Sequence, residues 1–282
     1  MEVQSEFRLA LTVKGSSMAD FLTYEQSGNI VTLTMNCPDT RNAVSGEVAG
    51  DFEEACDRIA RDRSVRAVVL TGAGSSFSSG GNVKTMSQRY GVGRESAATT
   101  RMKAKDGIQR IPRCLYNLEV PTIAAVNGPA MGAGLDIACM CDIRIASSTA
   151  VFAESFVKLG LVPADGGAWL LPRIVGVSRA AEMAFTGDSL NAVEALKCGL
   201  VSRVVAPDAL VNEAQQLAQR IAANSGPAVR MAKRLLLEGQ NLSLEASLEL
   251  AAALQAIAFQ TSQYREAVAA RAEKRSPIFD DD

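Results

Sequence analysis

Apolar positions in this chain follow two different periods, and the point where one gives way to the other divides the sequence. Residues 21–26 and 30–36 are β-prone runs on either side of Ser27-Gly28-Asn29, which predicts a hairpin. Ser45 is placed to cap a helix whose apolar face is Val48, Phe52, Ala55 and Ile59, spaced by three or four residues. The run 67–71 is apolar throughout, as is 122–126, and the pattern between them predicts one long helix over 96–118. A short helix over 134–140 and strands over 142–146 and 151–153 follow. Alternating strands and helices of this kind predict a mainly parallel sheet with right-handed crossovers. After Gly176 the period of two disappears: 178–185, 191–198, 208–224, 227–238 and 243–274 all read as helical. Leu210, Ala214, Leu217 and Ile221 make one apolar stripe there.

Two of the buried strands run directly into glycine-rich turns, residues 72–81 behind the first and 128–134 behind the second. Such a turn is often no more than a tight connection. Glycine also lets a ligand approach the main chain without meeting a Cβ. Two bare amides from separate turns, converging on one carbonyl oxygen, would form an oxyanion hole; removing one such donor costs about 2.7–4 kcal/mol. The second turn leads into a helix start of small residues and then Asp136, where unpaired amides and the helix dipole favour negative charge.

Composition narrows the chemistry. With 282 residues, 48% of them hydrophobic and 21% charged, the chain can bury a large core. The net charge is −2 with basic residues scattered, so no basic stripe recommends nucleic acid or an anionic membrane surface, and a small-molecule partner fits better. There is no histidine, which excludes Ser-His-Asp and Cys-His nucleophiles and any imidazole base. Proton transfer falls to carboxylates, lysine, tyrosine, cysteine or water. The six cysteines lack a disulfide-framework spacing and read as reduced thiols, and Cys139-Met140-Cys141 lacks the further ligands a metal needs. No apolar run reaches the length of a membrane span, and Arg8 and Lys14 interrupt the leading apolar stretch, so a cytoplasmic location is expected. Residues 1–17 read as an extension outside the fold, either disordered or a cloning scar.

Residues 77–84 (FSSGGNVK) and 125–142 (AVNGPAMGAGLDIACMCD) resemble the signature blocks of the crotonase superfamily, the enoyl-CoA hydratase/isomerase proteins. Supporting blocks are 39–44 (DTRNAV), 152–154 (FAE), 158–163 (KLGLVP) with Gly166-Gly167, 171–173 (LPR) and 184–188, and the likeness runs from about Phe21 to the carboxy terminus. The resemblance implies an α/β fold with a ββα spiral core over 18–205 that carries an acyl-CoA site. It also implies a helical region over 206–282 that serves trimerisation or forms a lid, in a homotrimer or a dimer of trimers. It implies an acyl-CoA substrate, with coenzyme A entering as part of the thioester and no permanently bound cofactor or metal. The amides of Gly81 and Ala133 would polarise the thioester carbonyl. Arg41, Ala43, Ser79 and Val83 match the region where the family holds the CoA moiety.

The family's hydratases use two glutamates on one water, and here the chain departs from the pattern. Asp136 stands at the first position and Phe156 at the second. Aspartate is shorter by a methylene, about 1.5 Å, and Phe156 moves no protons. Asp165, in the turn before Gly166, is the next acid expected to face the acyl group, although Asp also favours turns for local reasons. Glu154 precedes Phe156 by two residues, which would put both side chains on one side if the segment is extended. Acids in such places are more often solvated or capping. Met86, Phe156 and Trp169 are candidate walls of the acyl pocket, and burial beside Phe156 and Trp169 would raise the pKa of Asp136 or Asp165. The expected activity is water addition to a 2-enoyl-CoA, with Asp136 and Asp165 moving protons. Isomerisation or thioester hydrolysis with one carboxylate, and a non-catalytic CoA-binding role, stand as alternatives.

Overall fold

The computed structural model describes residues 21–84, 86 and 94–280, and the extension over 1–17 lies outside them. Among these residues nine strands form two sheets. The larger has the order β1 (Leu22–Ser27), β2 (Ile30–Met35), β3 (Ala67–Gly72), β4 (Thr122–Val126), β6 (Ile143–Ser147), β9 (Arg203–Val205). β1 and β2 are the expected antiparallel hairpin, in register Leu22 with Met35, and every later pairing in this sheet is parallel. The smaller sheet joins β5 (Ala130–Met131), β7 (Val151–Ala153) and β8 (Ser189–Asn191).

Both faces of the large sheet are covered, which is why its strands read as unbroken apolar runs. Val68, Leu70, Ala124 and Val126 face a core that includes Phe52, Ile59, Phe77 and Phe152. Ala67, Val69, Ile123, Ala125 and Ile145 face the other way, against Leu210, Ala214 and Ala218. These last residues lie on helix Leu210–Ala222, so the stripe read from the sequence closes the second face of the sheet. Fully burying one leucine of that stripe contributes about 1.5–3 kcal/mol.

Two long helices read from periodicity are broken in the structure. The segment expected as one helix over 96–118 is two, Ala97–Asp106 and Arg110–Tyr116, because Gly107 leaves helical geometry with φ −118° and ψ −109°. Gly107 also abuts the backbone of Gly46, an approach that leaves little room for a side chain. Likewise 243–274 divides into Leu244–Phe259 and Ser262–Ala272, where Thr261 caps the second helix by accepting from the Tyr264 amide at 3.1 Å. Helix Gly167–Val175 was not foreseen, since Pro172 and two glycines mask its apolar face.

β3 and β4 are adjacent and parallel, paired Val68 with Thr122. Their glycine turns therefore leave the same edge of the sheet side by side. The turns bond to each other, with the Ser78 amide on the Pro129 carbonyl at 3.1 Å and the Met131 amide on the Ser78 carbonyl at 3.0 Å.

Candidate functional site

The first turn reaches the site through Gly80, whose φ of 75° suits glycine and whose missing side chain leaves room for the second turn. A Cβ there would lie 3.3 Å from the Ala133 nitrogen. Ala133 is the first residue of helix Ala133–Met140, so its N–H has no intrahelical acceptor. Neither the Gly81 nor the Ala133 amide donates to a protein acceptor among the described residues. Two free main-chain donors from separate segments thus adjoin.

The same contacts gather the residues matched to CoA binding. The Ser79 amide donates to the Arg41 carbonyl at 2.8 Å, the Ser79 hydroxyl to the Thr40 carbonyl at 3.1 Å, and the Val44 amide to the Gly80 carbonyl at 2.9 Å. Arg41 is exposed with φ 56°, Ala43 is half-buried, and Val83 is 52% exposed. Loop 37–44 and the first glycine turn form one hydrogen-bonded unit. Met86 presses its sulfur toward Gly81.

Asp136 lies one helical turn beyond Ala133 and is 1% exposed. Glu154 follows β7, is also 1% exposed, and opens a 3-10 turn over Ser155–Leu159 without capping it by its side chain. Its solvated or capping reading is therefore overturned, as is the extended geometry assumed for 154–156. The 3-10 turn separates the pair: Phe156 packs its ring edge near Gly132, 3.6 Å from where a Cβ would stand, while the Glu154 carboxyl goes inward. There it meets Asp136 over Gly167, where a Cβ would collide with Asp136 Oδ1 and lie 2.5 Å from Glu154 Oε1. None of the four carboxyl oxygens has a hydrogen-bond partner among the described residues.

Two acids so placed cannot both ionise near neutrality. Burial, then the negative charge of Glu154 and Asp165, raises Asp136 well above the usual carboxylate range; the Gly167 amide nearby, outside hydrogen-bonding geometry, pulls only weakly the other way. Burial pushes Glu154 up to about 7, and the charge of Asp165 adds to this against a lowering influence from Asp136. Asp165 is half-buried, and burial raises it to about 6. The structure thus brings Asp165 into the electrostatic reach of the pair, in a turn held by the Gln109 side-chain amide on the Ala164 carbonyl at 2.9 Å.

Trp169 does not join Phe156. It is 38% exposed, packs edge-on against Tyr116 with ring centres 5.4 Å apart, and carries the Arg173 guanidinium over its face. It lines a separate cavity of about 570 Å³ with Tyr116, Met231, Lys233, Leu254 and Ile257. A shallower groove of about 610 Å³ runs along helix Ala49–Arg61, and neither Asp136 nor Glu154 lines it. All six cysteines are free, and no cluster suited to a metal occurs among the described residues. None of the described helices is long and apolar enough to cross a membrane.

Sequence reasoning ranked Glu154 below Asp165 as the second acid, whereas the structure sets the Glu154 carboxyl beside that of Asp136. The signal was present as an acid two residues before an aromatic at the family's second acid position, but only the 3-10 turn shows that it faces inward.

Comparison with known proteins identifies the family. The enoyl-CoA hydratase/isomerase family model matches residues 25–282. A probable enoyl-CoA hydratase of Mycobacterium bovis is 40% identical over 256 residues, 90% of each chain. A 1,2-epoxyphenylacetyl-CoA isomerase of Escherichia coli is 34% identical over 262 residues, 93% of this chain and 99% of its own. The crystal structure of an enoyl-CoA hydratase from Bacillus anthracis superposes with a TM-score of 0.87 at 29% identity, covering 93% of this chain and all of that one. The chain is an enzyme of the enoyl-CoA hydratase/isomerase family, with the crotonase fold.

Proposed function

We propose that this enzyme adds water across the double bond of a 2-enoyl-CoA, with the amides of Gly81 and Ala133 as oxyanion hole and Asp136 with Glu154 as the proton-transferring pair. The observation that carries this reading is the meeting of two buried, otherwise unpartnered carboxyls, one of them a helical turn beyond the free Ala133 amide. Two donors on a thioester oxygen stabilise the enolate that forms when a nucleophile adds at Cβ. The pair enters the reaction holding one proton. Its carboxylate takes a proton from water as the water oxygen bonds to Cβ, and its acid delivers the other proton to Cα as the enolate collapses. The pair ends with one proton again, so turnover needs no outside acid or base.

Asp165 tunes this pair by charge, being close enough to raise both pKa values. Arg41, Ala43, Ser79 and Val83 are proposed to hold the CoA moiety beside the amides, the thioester being carried in with the substrate. The helix Leu244–Phe259 has no buried residue although Leu244 and Leu248 are 68% and 60% exposed, which supports a homotrimer or a dimer of trimers.

Incubation with crotonyl-CoA and with longer and aromatic 2-enoyl-CoAs, followed by loss of conjugated absorbance, tests the reading. Inertness across that panel would sink it. Double-bond isomerisation is the second reading, favoured by the isomerase named among the relatives. It predicts deuterium entry from solvent at Cα or Cγ without net water addition.

A further inference from the structure

Asn42 is completely buried, holds φ at 54°, and spends both side-chain polar atoms on neighbouring main chain. Its Oδ1 accepts from the Cys37 amide at 2.9 Å. Its Nδ2 donates to the carbonyls of Ala73, Ser76 and Phe77 at 2.9, 2.8 and 3.2 Å. Its amide donates to the Cys37 carbonyl at 2.9 Å, and its own carbonyl accepts from the Ser78 hydroxyl at 2.7 Å. Few side chains combine this many bonds with a left-handed backbone, and Asn is the non-glycine residue best suited to that conformation.

The bonds have a direction. The Ser78 hydroxyl that donates to Asn42 also accepts from the Gly80 amide at 3.2 Å, one residue before Gly81. The Ser78 main chain bonds to Pro129 and Met131, two residues before Ala133. Asn42 therefore grips the first glycine turn from inside, and through Ser78 it is joined to both segments that carry the free amides. Its partners are the carbonyls of the turn itself, so removing the side chain leaves two buried acceptors and a half-buried one without their donor and lets the turn relax.

We infer that Asn42 is a positioning residue for the oxyanion hole, fixing the Gly81 and Ala133 amides at one separation through Ser78. This rests on the oxyanion reading proposed above and adds to it the residue that sets the geometry.

The test compares Asn42→Gly, which keeps the left-handed backbone and deletes only the side chain, with Ser78→Ala, which removes one link. Ile59→Val, in the core of helix Ala49–Arg61, serves as a control for general destabilisation. In the full-length protein, Asn42→Gly is expected to lower kcat about 100-fold, the loss seen when an oxyanion donor is withdrawn. KM should stay within about threefold, as for an interaction made mainly in the transition state. The carbonyl stretch of bound butyryl-CoA, lowered by the wild-type hole, should return toward its solution value. Ser78→Ala should move both readouts the same way, with about a tenfold loss in kcat, and Ile59→Val should move neither.

Wild-type kcat and an unshifted stretch in Asn42→Gly would overturn the inference. If that variant does not fold, the same result in Ser78→Ala overturns it. A wild-type protein inert to all 2-enoyl-CoAs but lowering the butyryl-CoA stretch would refute hydration while leaving the Asn42 test to be read from the stretch. A wild type that binds without lowering the stretch refutes both.

Discussion

Asp136 and Glu154 bring their carboxyls together over the bare Cα of Gly167, with Glu154 Oε1 2.5 Å from the point a β-carbon would occupy. The space that lets two acids meet is thus the volume of one methyl group. Gly167→Ala fills it, and the neighbours that must give way are the carboxyls themselves. Overpacking of this kind costs about 1–3 kcal/mol, which a fold of this size tolerates. The expected outcome is a folded protein, by circular dichroism, whose kcat falls at least about 100-fold because misplacement by an ångström is enough. A fully active Gly167→Ala enzyme would show that the pair's closeness is immaterial to the reaction.

If the two carboxyls act as one unit, their removal is not additive. Glu154→Gln and Asp136→Asn each keep the shape and remove proton transfer, and each is expected to lower kcat by about 10²–10⁴. The double variant should be little worse than the poorer single one. Asp165→Asn removes only a neighbouring charge and should shift the pH profile to lower pH while leaving the plateau rate near wild type. Steady-state kinetics over pH 5–9 with a substrate from the enoyl-CoA panel distinguishes these cases. Multiplying losses would mean that Asp136 and Glu154 work separately.

Much of this was legible before any coordinates, and what was not has identifiable causes. The hairpin, the two buried strands and the helix face of Phe52 and Ile59 follow from periodicity, because both sheet faces are covered and the helix is amphipathic. The glycine turns announced free amides. Long-range geometry was not legible. Whether Glu154 faced solvent or Asp136 depended on a 3-10 turn with no strong local signal. The placement of Trp169 depended on Tyr116, more than fifty residues away along the chain. Asn42 in a polar loop looked like turn chemistry, and only the packing of that loop against residues 73–78 shows it as a buried clamp.

Burying acids leaves a mark on stability that pH can read. The Glu154 carboxyl titrates at about 7 when folded against an ordinary 4.5. A raised carboxyl means that the folded state holds its proton more tightly, so above pH 4.5 the unfolded state releases a proton that the folded state keeps. The Glu154 contribution to stability is therefore greatest below the ordinary value and is lost as pH rises through about 7, and Asp136, also raised, extends the fall. Asp165, raised to about 6, adds to the fall in the lower part of that window. Urea unfolding from pH 4.5 to 8 measures it. Glu154→Gln should flatten the curve and make the protein more stable than wild type at pH 8. A wild-type curve that rises through this window would contradict the raised titration.

A different buried charge holds the helical third to the sheet. Lys233, on helix Gly226–Glu238, is 7% exposed and donates to the Val120 carbonyl at 3.0 Å, with Asp142 Oδ2 2.8 Å away. Asp142 in turn accepts from the Thr122 amide and hydroxyl at 2.7 and 2.9 Å, so one ammonium ties the helix to the starts of β4 and β6 together. Lys233→Ala leaves the Val120 carbonyl unpaired and the Asp142 carboxylate without its cation. The expected destabilisation is about 3 kcal/mol, the low end for a broken buried pair because Asp142 keeps the Thr122 donors and some solvent contact. Lys233→Met with Asp142→Asn should recover part of that loss, since the amide can still accept from Thr122 and no charge remains buried. Urea midpoints with unchanged slopes make the comparison. A Lys233→Ala protein within about 0.5 kcal/mol of wild type, the range of ordinary surface changes, would show that the clamp contributes nothing and that apolar packing alone seats this helix.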